Sequence, residues 1–394
     1  MQKKGSALPL VESYKMKGED ICMLSAVNRQ GKPVVLAGTE AKSLALRLKN
    51  TPHYCPQCGS PVMIKAGNVN IPHFAHISHT LCQSFSEHES PRHLAGKADL
   101  FQWITQTAEA ELEACLPGGD QRPDILTGNI AVEFQCSSIS AALFKERTEK
   151  YTARGMIPFW IYGGKPVERK GSYVKLTPFQ RLFLRFHPQL GFYFLSYDPE
   201  RKGFTVYKNI TPLTVTLCTA HQRFIPIQDM TFPPSASGSE RDVSDLNTFF
   251  DYRRKWIDQT CQFDRGHRHP FLQAVYASGR NPYLLPEHIG LPVRSSIAIR
   301  NHPIEWQFYL LLELEKRPAE EIIRRRIELG HVKEQPLPLA GGKTPEMAAV
   351  EYAALLDVIG NPLSLDSPSL GVKLEKEKAF TGAFGKAVLD KLIF

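Results

Sequence analysis

No apolar stretch in this chain of 394 residues approaches the roughly 20 that a membrane-crossing helix needs. The most apolar run, residues 156–164, has about half that length. No extended apolar segment follows Met1-Gln2-Lys3-Lys4-Gly5, so no secretory signal is expected. Cysteine is sparse: of the eight, only Cys55 and Cys58 lie close together. That excludes a disulfide framework and reads as reduced thiols with one candidate metal site. Internal repeats are absent, and low complexity is confined to Pro233-Pro234-Ser235-Ala236-Ser237-Gly238-Ser239, which reads as a linker. A hydrophobic share of 42% against 22% charged excludes a disordered tail or a collagen-like chain, because ordinary cores can be buried. Acidic residues are outnumbered, 40 to 48, and the net charge of +8 suits a polyanionic partner. These features predict a soluble, cytoplasmic protein of two or three domains.

The pattern along the chain predicts an α/β protein in five regions: a β-rich stretch at 1–50, a zinc-finger-like stretch at 51–84, an α/β core at 85–165, a β-rich extension at 166–232 and a helical C-terminal domain at 240–394. Residues 1–20 are polar and read as loose. Two strands are expected within 21–38, with the turn at Asn28-Arg29-Gln30-Gly31-Lys32, and a helix over 41–48. A longer helix starts with Ser90 as its cap and Pro91 at its first position. It runs until Pro117-Gly118-Gly119-Asp120 breaks it, and Leu94, Phe101, Ile104 and Ala108 face a core. Asp124-Ile125-Leu126, a Thr127-Gly128-Asn129 turn and the strand from Ile130 to Gln135 form a hairpin. A charged helix over 141–154 and a strand over 158–162 complete a crossover. Further strands are expected at 192–195 and 204–207, and helices at 246–260, 304–316, 319–329 and 345–358.

Cys55-Pro56-Gln57-Cys58-Gly59 has the form of a zinc knuckle: the spacing lets both thiolates reach one ion, and Gly59 relieves the tight backbone. His73, His76, His79 and Cys82 follow. Cys55, Cys58, His76 and Cys82 make up a tetrahedral set for a structural Zn²⁺, with His73 as a substitute ligand. The alternative is two plain thiols in a loop.

The hairpin carries two carboxylates. Closed around Gly128, it sets Asp124 nearly opposite Glu133, and strand alternation puts Glu133 and Gln135 on one face. Carboxylates on adjacent strands suit Mg²⁺, which stabilises charge on a scissile phosphate. The alternative makes Asp124 a turn residue and Glu133 a solvent-facing one. On the preceding helix His93 and Lys97 share a face, with Glu89 and Arg92 nearby, and offer a cation to a phosphate or an acid to a metal; an ordinary polar face is the other reading. Arg147 and Tyr151 share a face of the following helix, either toward phosphate or as part of a solvated surface.

In order and spacing, Cys55-Pro56-Gln57-Cys58, His73-Phe74-Ala75-His76, Glu89-Ser90 with His93 and Lys97, Arg122-Pro123-Asp124, Glu133-Phe134-Gln135-Cys136-Ser137 and Arg147-Thr148 with Tyr151 resemble the CoiA competence family. The resemblance is strongest over the first 165 residues or so. It implies a restriction-endonuclease-like PD-(D/E)xK core at 85–165, with Asp124 and Glu133 as ligands of Mg²⁺ or Mn²⁺. Gln135 stands where the commoner pattern has lysine, and Lys97 is the natural substitute; Gln135 would then orient water or a ligand, and His93 would assist. The implied function is a metal-dependent nuclease acting on incoming single-stranded or branched DNA in transformation, with recombination proteins as further partners. The rival is a non-catalytic DNA-binding mediator of recombination.

Three other segments carry weaker signals. Gly341-Gly342-Lys343-Thr344 ends like a phosphate loop, but Leu337 stands where the motif needs glycine, so no ATP site is expected. Arg324-Arg325-Arg326 shares its helix with Glu320, Glu321 and Glu328 and reads as salt-bridged. Arg253-Arg254-Lys255-Trp256, near Phe249 and Tyr252, reads either as a single-strand stacking surface or as an amphipathic helix with an inward aromatic face.

Overall fold

The computed structural model describes residues 22–67, 71–77, 82, 89–119, 121–171, 173–234, 246–264, 268–360 and 370–393. The loose segment expected at 1–20, His79 and the linker from Ser235 lie outside the described residues. The fold is mixed α/β, and the chain divides into two compact units: Met1–Gln102 with Ala110–Leu126, and Trp103–Glu109 with Thr127–Phe394.

The first unit is built on a six-stranded antiparallel sheet. Its strands are β1 (Cys22–Met23), β2 (Ser25–Asn28), β3 (Pro33–Val35), β4 (His53–Tyr54), β5 (Pro61–Lys65) and β6 (His73–His76), in the order β1-β6-β5-β4-β2-β3. Helix α1 (Ala41–Leu48) falls on the range read from the sequence. Met23, Ala26, Leu36, Val62, Ile64 and Phe74 form the apolar core against the sheet. Helix α2 (Pro91–Thr105) begins where the cap predicts: the Ser90 hydroxyl accepts from the His93 amide at 3.1 Å. It ends sooner than expected. Instead of continuing to Pro117, the chain leaves the helix after Thr105 and forms β7 (Glu111–Leu112), antiparallel to β8 (Ile125–Thr127). The Ala110-Glu111-Leu112-Glu113-Ala114 run is made of strong helix formers. Strand pairing and the left-handed Glu113 (φ 54°) override that preference.

In the second unit, β9 (Ile130–Gln135), α3 (Ala141–Ala153) and β10 (Ile157–Tyr162) form the expected crossover, with β9 and β10 parallel and Glu133 opposite Trp160. The two-residue turn before β9 holds Gly128 at φ 54°, a conformation that glycine adopts without strain. The sheet continues through β11 (Glu168–Lys170), β12 (Tyr173–Lys175), β13 (Arg185–His187), β14 (Gly191–Asp198), β15 (Gly203–Pro212) and β16 (Leu217–Pro226). Its order is β9-β10-β14-β15-β16-β12-β11, with β13 paired to β14. Helix α4 (Pro178–Arg181) lies between β12 and β13. Phe144 stacks on Trp160 with ring centroids 4.1 Å apart, and Phe183, Phe194 and Tyr207 extend this core. Gly163 is obligatory here: a Cβ would lie 2.4 Å from the Phe134 ring and 2.7 Å from the Cys136 sulfur.

Helices α5 (Leu246–Phe263), α6 (Pro270–Ala277), α7 (Pro303–Leu311), α8 (Ala319–Glu328), α9 (Pro345–Val358) and α10 (Leu370–Ile393) follow. They enclose a second core around Phe249, Trp306, Phe308, Tyr309 and Tyr352. No helix among the described residues is long and apolar enough to cross a membrane.

His302 caps α7: its Nδ1 accepts from the Ile304 amide, and its ring stacks on Trp256 at 4.5 Å. Burial, aided by the charge of Arg253, lowers its pKa to about 3, and burial with Arg253 and Lys373 does the same to His288. Both stay neutral in the folded chain and gain a proton on unfolding below about pH 6.5. Stability should therefore fall as pH drops from about 6.5 toward 3. His302→Asn keeps a capping side chain and removes one titrating group. We predict a shallower loss of urea stability between pH 7 and 4 for this variant; an unchanged slope would count against the assignment.

Candidate functional site

Four residues from separate stretches of the first unit converge: Cys55, Cys58, His76 and Cys82, whose ligand atoms all lie within 4.8 Å of one another. Cys55 and Cys58 flank the turn between β4 and β5, where the Gly59 amide donates to the Cys55 carbonyl at 2.9 Å. Gly59 has φ 70°, as the knuckle requires. His76 ends β6. The Cys55 and Cys82 sulfurs are 3.9 Å apart, and the Cys58 sulfur is 3.4 Å from His76 Nε2. A tetrahedral ion with Zn–S bonds of about 2.3 Å sets its ligands roughly 3.8 Å apart. Burial pushes the Cys55 thiol up to about 12. At Cys58 burial acts the same way, but hydrogen bonds from Ser60, with help from His76 and Cys82, bring it down to about 6. His73, the substitute ligand, is outside this group: its Nδ1 is 2.8 Å from the Ile71 carbonyl.

A second cluster in the same unit gathers around Lys97. Its side chain has 0% exposure, and the ammonium lies 2.5 Å from Glu89 Oε1, 2.5 Å from Glu113 Oε1 and 3.8 Å from Asp124 Oδ1. Asp124 does not act as a simple turn residue. Its Oδ2 is 3.2 Å from His93 Nε2, one turn of α2 away from Lys97. Glu89, His93 and Asp124 each offer a ligand atom within 4.8 Å of the others. Glu89 Oε2 is buried and has no hydrogen-bond partner among the described residues.

The charges shape one another. Burial raises the Glu89 pKa, and the neighbouring Glu113 and Asp124 reinforce it against the pull of Lys97 and His93. For Lys97, burial works to lower the pKa, but Glu113, Glu89 and Asp124 raise it above its ordinary value. For His93, burial again works downward, and Asp124 with Glu89 reverses it. Glu113, despite burial, is held down to about 2 by Lys97 and Arg122. Sequence reasoning missed Glu113, because it stands in a run read as the continuation of the helix that starts at Ser90. The one available signal was its place between the apolar Leu112 and Ala114.

In the second unit, Glu133 is 2% exposed, which excludes the solvent-facing reading. β9 is buried from Ala131 to Gln135, as parallel strands covered on both faces are. Glu133 Oε1 accepts from Arg147 Nη2 at 2.6 Å and from the Tyr151 hydroxyl. Arg147 also lies over the Trp160 ring at 5.1 Å. Thus α3 turns Arg147 and Tyr151 inward to the carboxylate, while Lys145–Glu149 and Lys150–Glu146 pair on its outer surface. The Gln135 amide donates to the Ser137 carbonyl and hydroxyl at 3.1 and 3.2 Å.

The basic segment of α5 follows the amphipathic reading. Arg253 is buried and donates to the Leu285 and Pro286 carbonyls at 2.6 and 2.7 Å, and Arg254 pairs with Asp251 and Glu377. Arg324, Arg325 and Arg326 are salt-bridged as expected, but to Glu346 and Glu313 rather than to acids of their own helix.

Three family models match the chain in register with this architecture: the CoiA N-terminal domain at 37–85, the CoiA nuclease-like domain at 89–237 and the CoiA C-terminal domain at 246–324. The chain belongs to the CoiA family of competence proteins. The competence protein CoiA of Bacillus subtilis (strain 168) is 28% identical over 279 residues, which span 68% of this chain and 73% of that protein. No solved structure matches. The Lys97 cluster and the β9–α3–β10 crossover both fall within the match to the nuclease-like domain.

The Tyr151 ring is fully buried, and its hydroxyl helps to satisfy Glu133. Tyr151→Phe should cost about 1 kcal/mol, read as a lower urea midpoint with an unchanged slope. A midpoint equal to that of the parent protein would mean that Glu133 does not depend on this bond.

Proposed function

We propose that this CoiA protein is a metal-dependent nuclease that processes incoming single-stranded or branched DNA during transformation, on a core of the PD-(D/E)xK kind. The observation that carries the reading is the buried Glu89 Oε2, which lacks a hydrogen-bond partner among the described residues and belongs to one potential ligand set with His93 and Asp124. A buried carboxylate oxygen left without a partner is costly unless a cation completes it. The donor set fits a small divalent ion, with Mn²⁺ accepting the imidazole more readily than Mg²⁺. Asp124, His93 and Glu89 would hold it, and Glu133 is the second carboxylate that the family resemblance implies. The ion would supply Lewis-acid stabilisation of charge on the scissile phosphate.

The remaining roles belong to the chain's own residues. Lys97 offsets the negative charge of Glu89 and Asp124, and so acts on a bound phosphate through those carboxylates. Arg147 pairs with Glu133 and orients it. Gln135, whose amide donates to Ser137, would orient water or a ligand, as the family resemblance implies. Net positive charge favours the DNA partner. The rival mediator reading draws support from the same Lys97: at 0% exposure it cannot reach a phosphate directly.

The test is a cleavage assay on labelled single-stranded, duplex and branched DNA with Mg²⁺ or Mn²⁺. Cutting should be lost in Asp124→Ala and in Glu133→Ala, with DNA binding retained. Binding without cutting on every substrate would replace the nuclease by the mediator.

For the Cys/His cluster we propose one structural Zn²⁺ on Cys55, Cys58, His76 and Cys82. The separations of 3.9 and 3.4 Å support it. Elemental analysis should give about one zinc per chain. His76→Ala should lose the metal and melt at lower temperature, whereas His73→Ala should keep it. Equal zinc in both variants would reject this ligand set.

A further inference from the structure

Glu113, just after β7, accepts more bonds than the turn there requires. Its Oε1 takes the Leu24 amide at 2.9 Å and the Lys97 ammonium at 2.5 Å. Its Oε2 takes the Ser25 amide at 3.1 Å, the Ser25 hydroxyl at 2.9 Å and Arg122 Nη2 at 2.6 Å. Its carbonyl accepts Arg122 Nε at 2.9 Å, and its own amide donates to the Asp124 carbonyl at 2.8 Å. The side chain is 4% exposed, and the backbone is left-handed at φ 54°. Non-glycine residues rarely occupy that region, and strain there persists where the surroundings enforce it.

The geometry points to Glu113 as a positioning residue of the carboxylate site. We propose that it shares the Lys97 ammonium with Glu89 and keeps it away from Asp124, and so leaves the free Glu89 oxygen and Asp124 able to take a divalent cation. Lys97 lies as close to Glu113 as to Glu89, and is 3.8 Å from Asp124. Without the charge of Glu113, the whole ammonium charge would fall on the two proposed ligands and compete with the metal. The anchor is the N-terminal sheet. Leu24 follows β1, whose Met23 pairs with Phe74 of β6, the strand that ends at His76. The site that would bind metal at Asp124 is thus fastened to the strand that ends at His76 of the Cys/His cluster. This inference rests on the proposed metal site and adds to it a residue that touches neither metal nor DNA.

The test uses the full-length protein and titrates Mn²⁺ alone, read by the loss of the free-ion electron paramagnetic resonance signal. Glu113→Gln should weaken Mn²⁺ binding at least tenfold. The double variant Glu113→Gln with Lys97→Met removes the misplaced cation as well, and should restore binding to within about threefold of the parent protein, a rescue that only a charge held in place can produce. The double variant removes the acid together with the ammonium it holds, so it carries the test even if the single variant fails to fold. A folded Glu113→Gln with parental affinity, or a double variant as weak as the single one, would overturn the role of Glu113 and leave the metal site standing. A parent protein that takes up no Mn²⁺ would remove the metal site, and the role of Glu113 with it.

Discussion

An ammonium group with no exposed surface cannot stand among apolar atoms; it must be surrounded by negative charge or give up its proton. Lys97 is such a group, and the nuclease-like part of the first unit is arranged to satisfy it. Glu89 comes from just before α2, Glu113 from just after β7 and Asp124 from just before β8. None of these segments would be fixed by its own hydrogen bonding: β7 has two residues and β8 three. The shared cation draws them together, and Arg122 balances the extra acid. The same gathering of charge brings His93, Asp124 and a buried carboxylate oxygen of Glu89 together.

The second unit handles its carboxylate in another way. Glu133 projects from a strand covered on both faces, and its charge is met by an arginine and a tyrosine on the crossover helix packed against it. Stacking of Phe144 on Trp160, and of Arg147 over the same indole, sets the helix at the height where those two side chains reach β9. Aromatic packing and electrostatics thus specify one register between helix and strand. Farther along, Arg253 and Trp256 point into the helical core and meet backbone carbonyls and His302. Basic and aromatic residues in sequence therefore make a framework here and not a nucleic-acid surface.

Much of this was legible from residue order. The limits of α1, the cap of α2, the hairpin turn at Gly128 and the β–α–β crossover each rest on a local signal, and local signals survive folding. The gathering of Cys55, Cys58, His76 and Cys82 was also readable, since knuckle spacing is a geometric requirement; only the choice between His73 and His76 needed the strand register of β6. Two things could not be read. The end of α2 and the presence of β7 depend on pairing between residues 111–112 and 125–126, which outweighs the helical preference of Ala, Glu and Leu. The burial of Glu133 depends on a parallel neighbour, β10, that covers a strand whose alternation suggested one wet face. Glu113 combines both failures: a helix-forming residue in a strand-end position, with a partner set drawn from distant segments.

The left-handed backbone at Glu113 narrows what can stand there. Glycine, asparagine and aspartate accept that conformation most readily, but their side chains are absent or a carbon shorter. Residues with the reach of glutamate carry a steric penalty of about 1–2 kcal/mol in the same backbone. Reach and conformational ease therefore select opposite amino acids at this position. A shorter acid would relax the chain and let go of either Lys97 or the Leu24–Ser25 amides, while a long neutral one would keep the strain and lose the charge. In sequence space the position is a narrow ridge: each single step away from glutamate gives up something that the surrounding residues cannot supply.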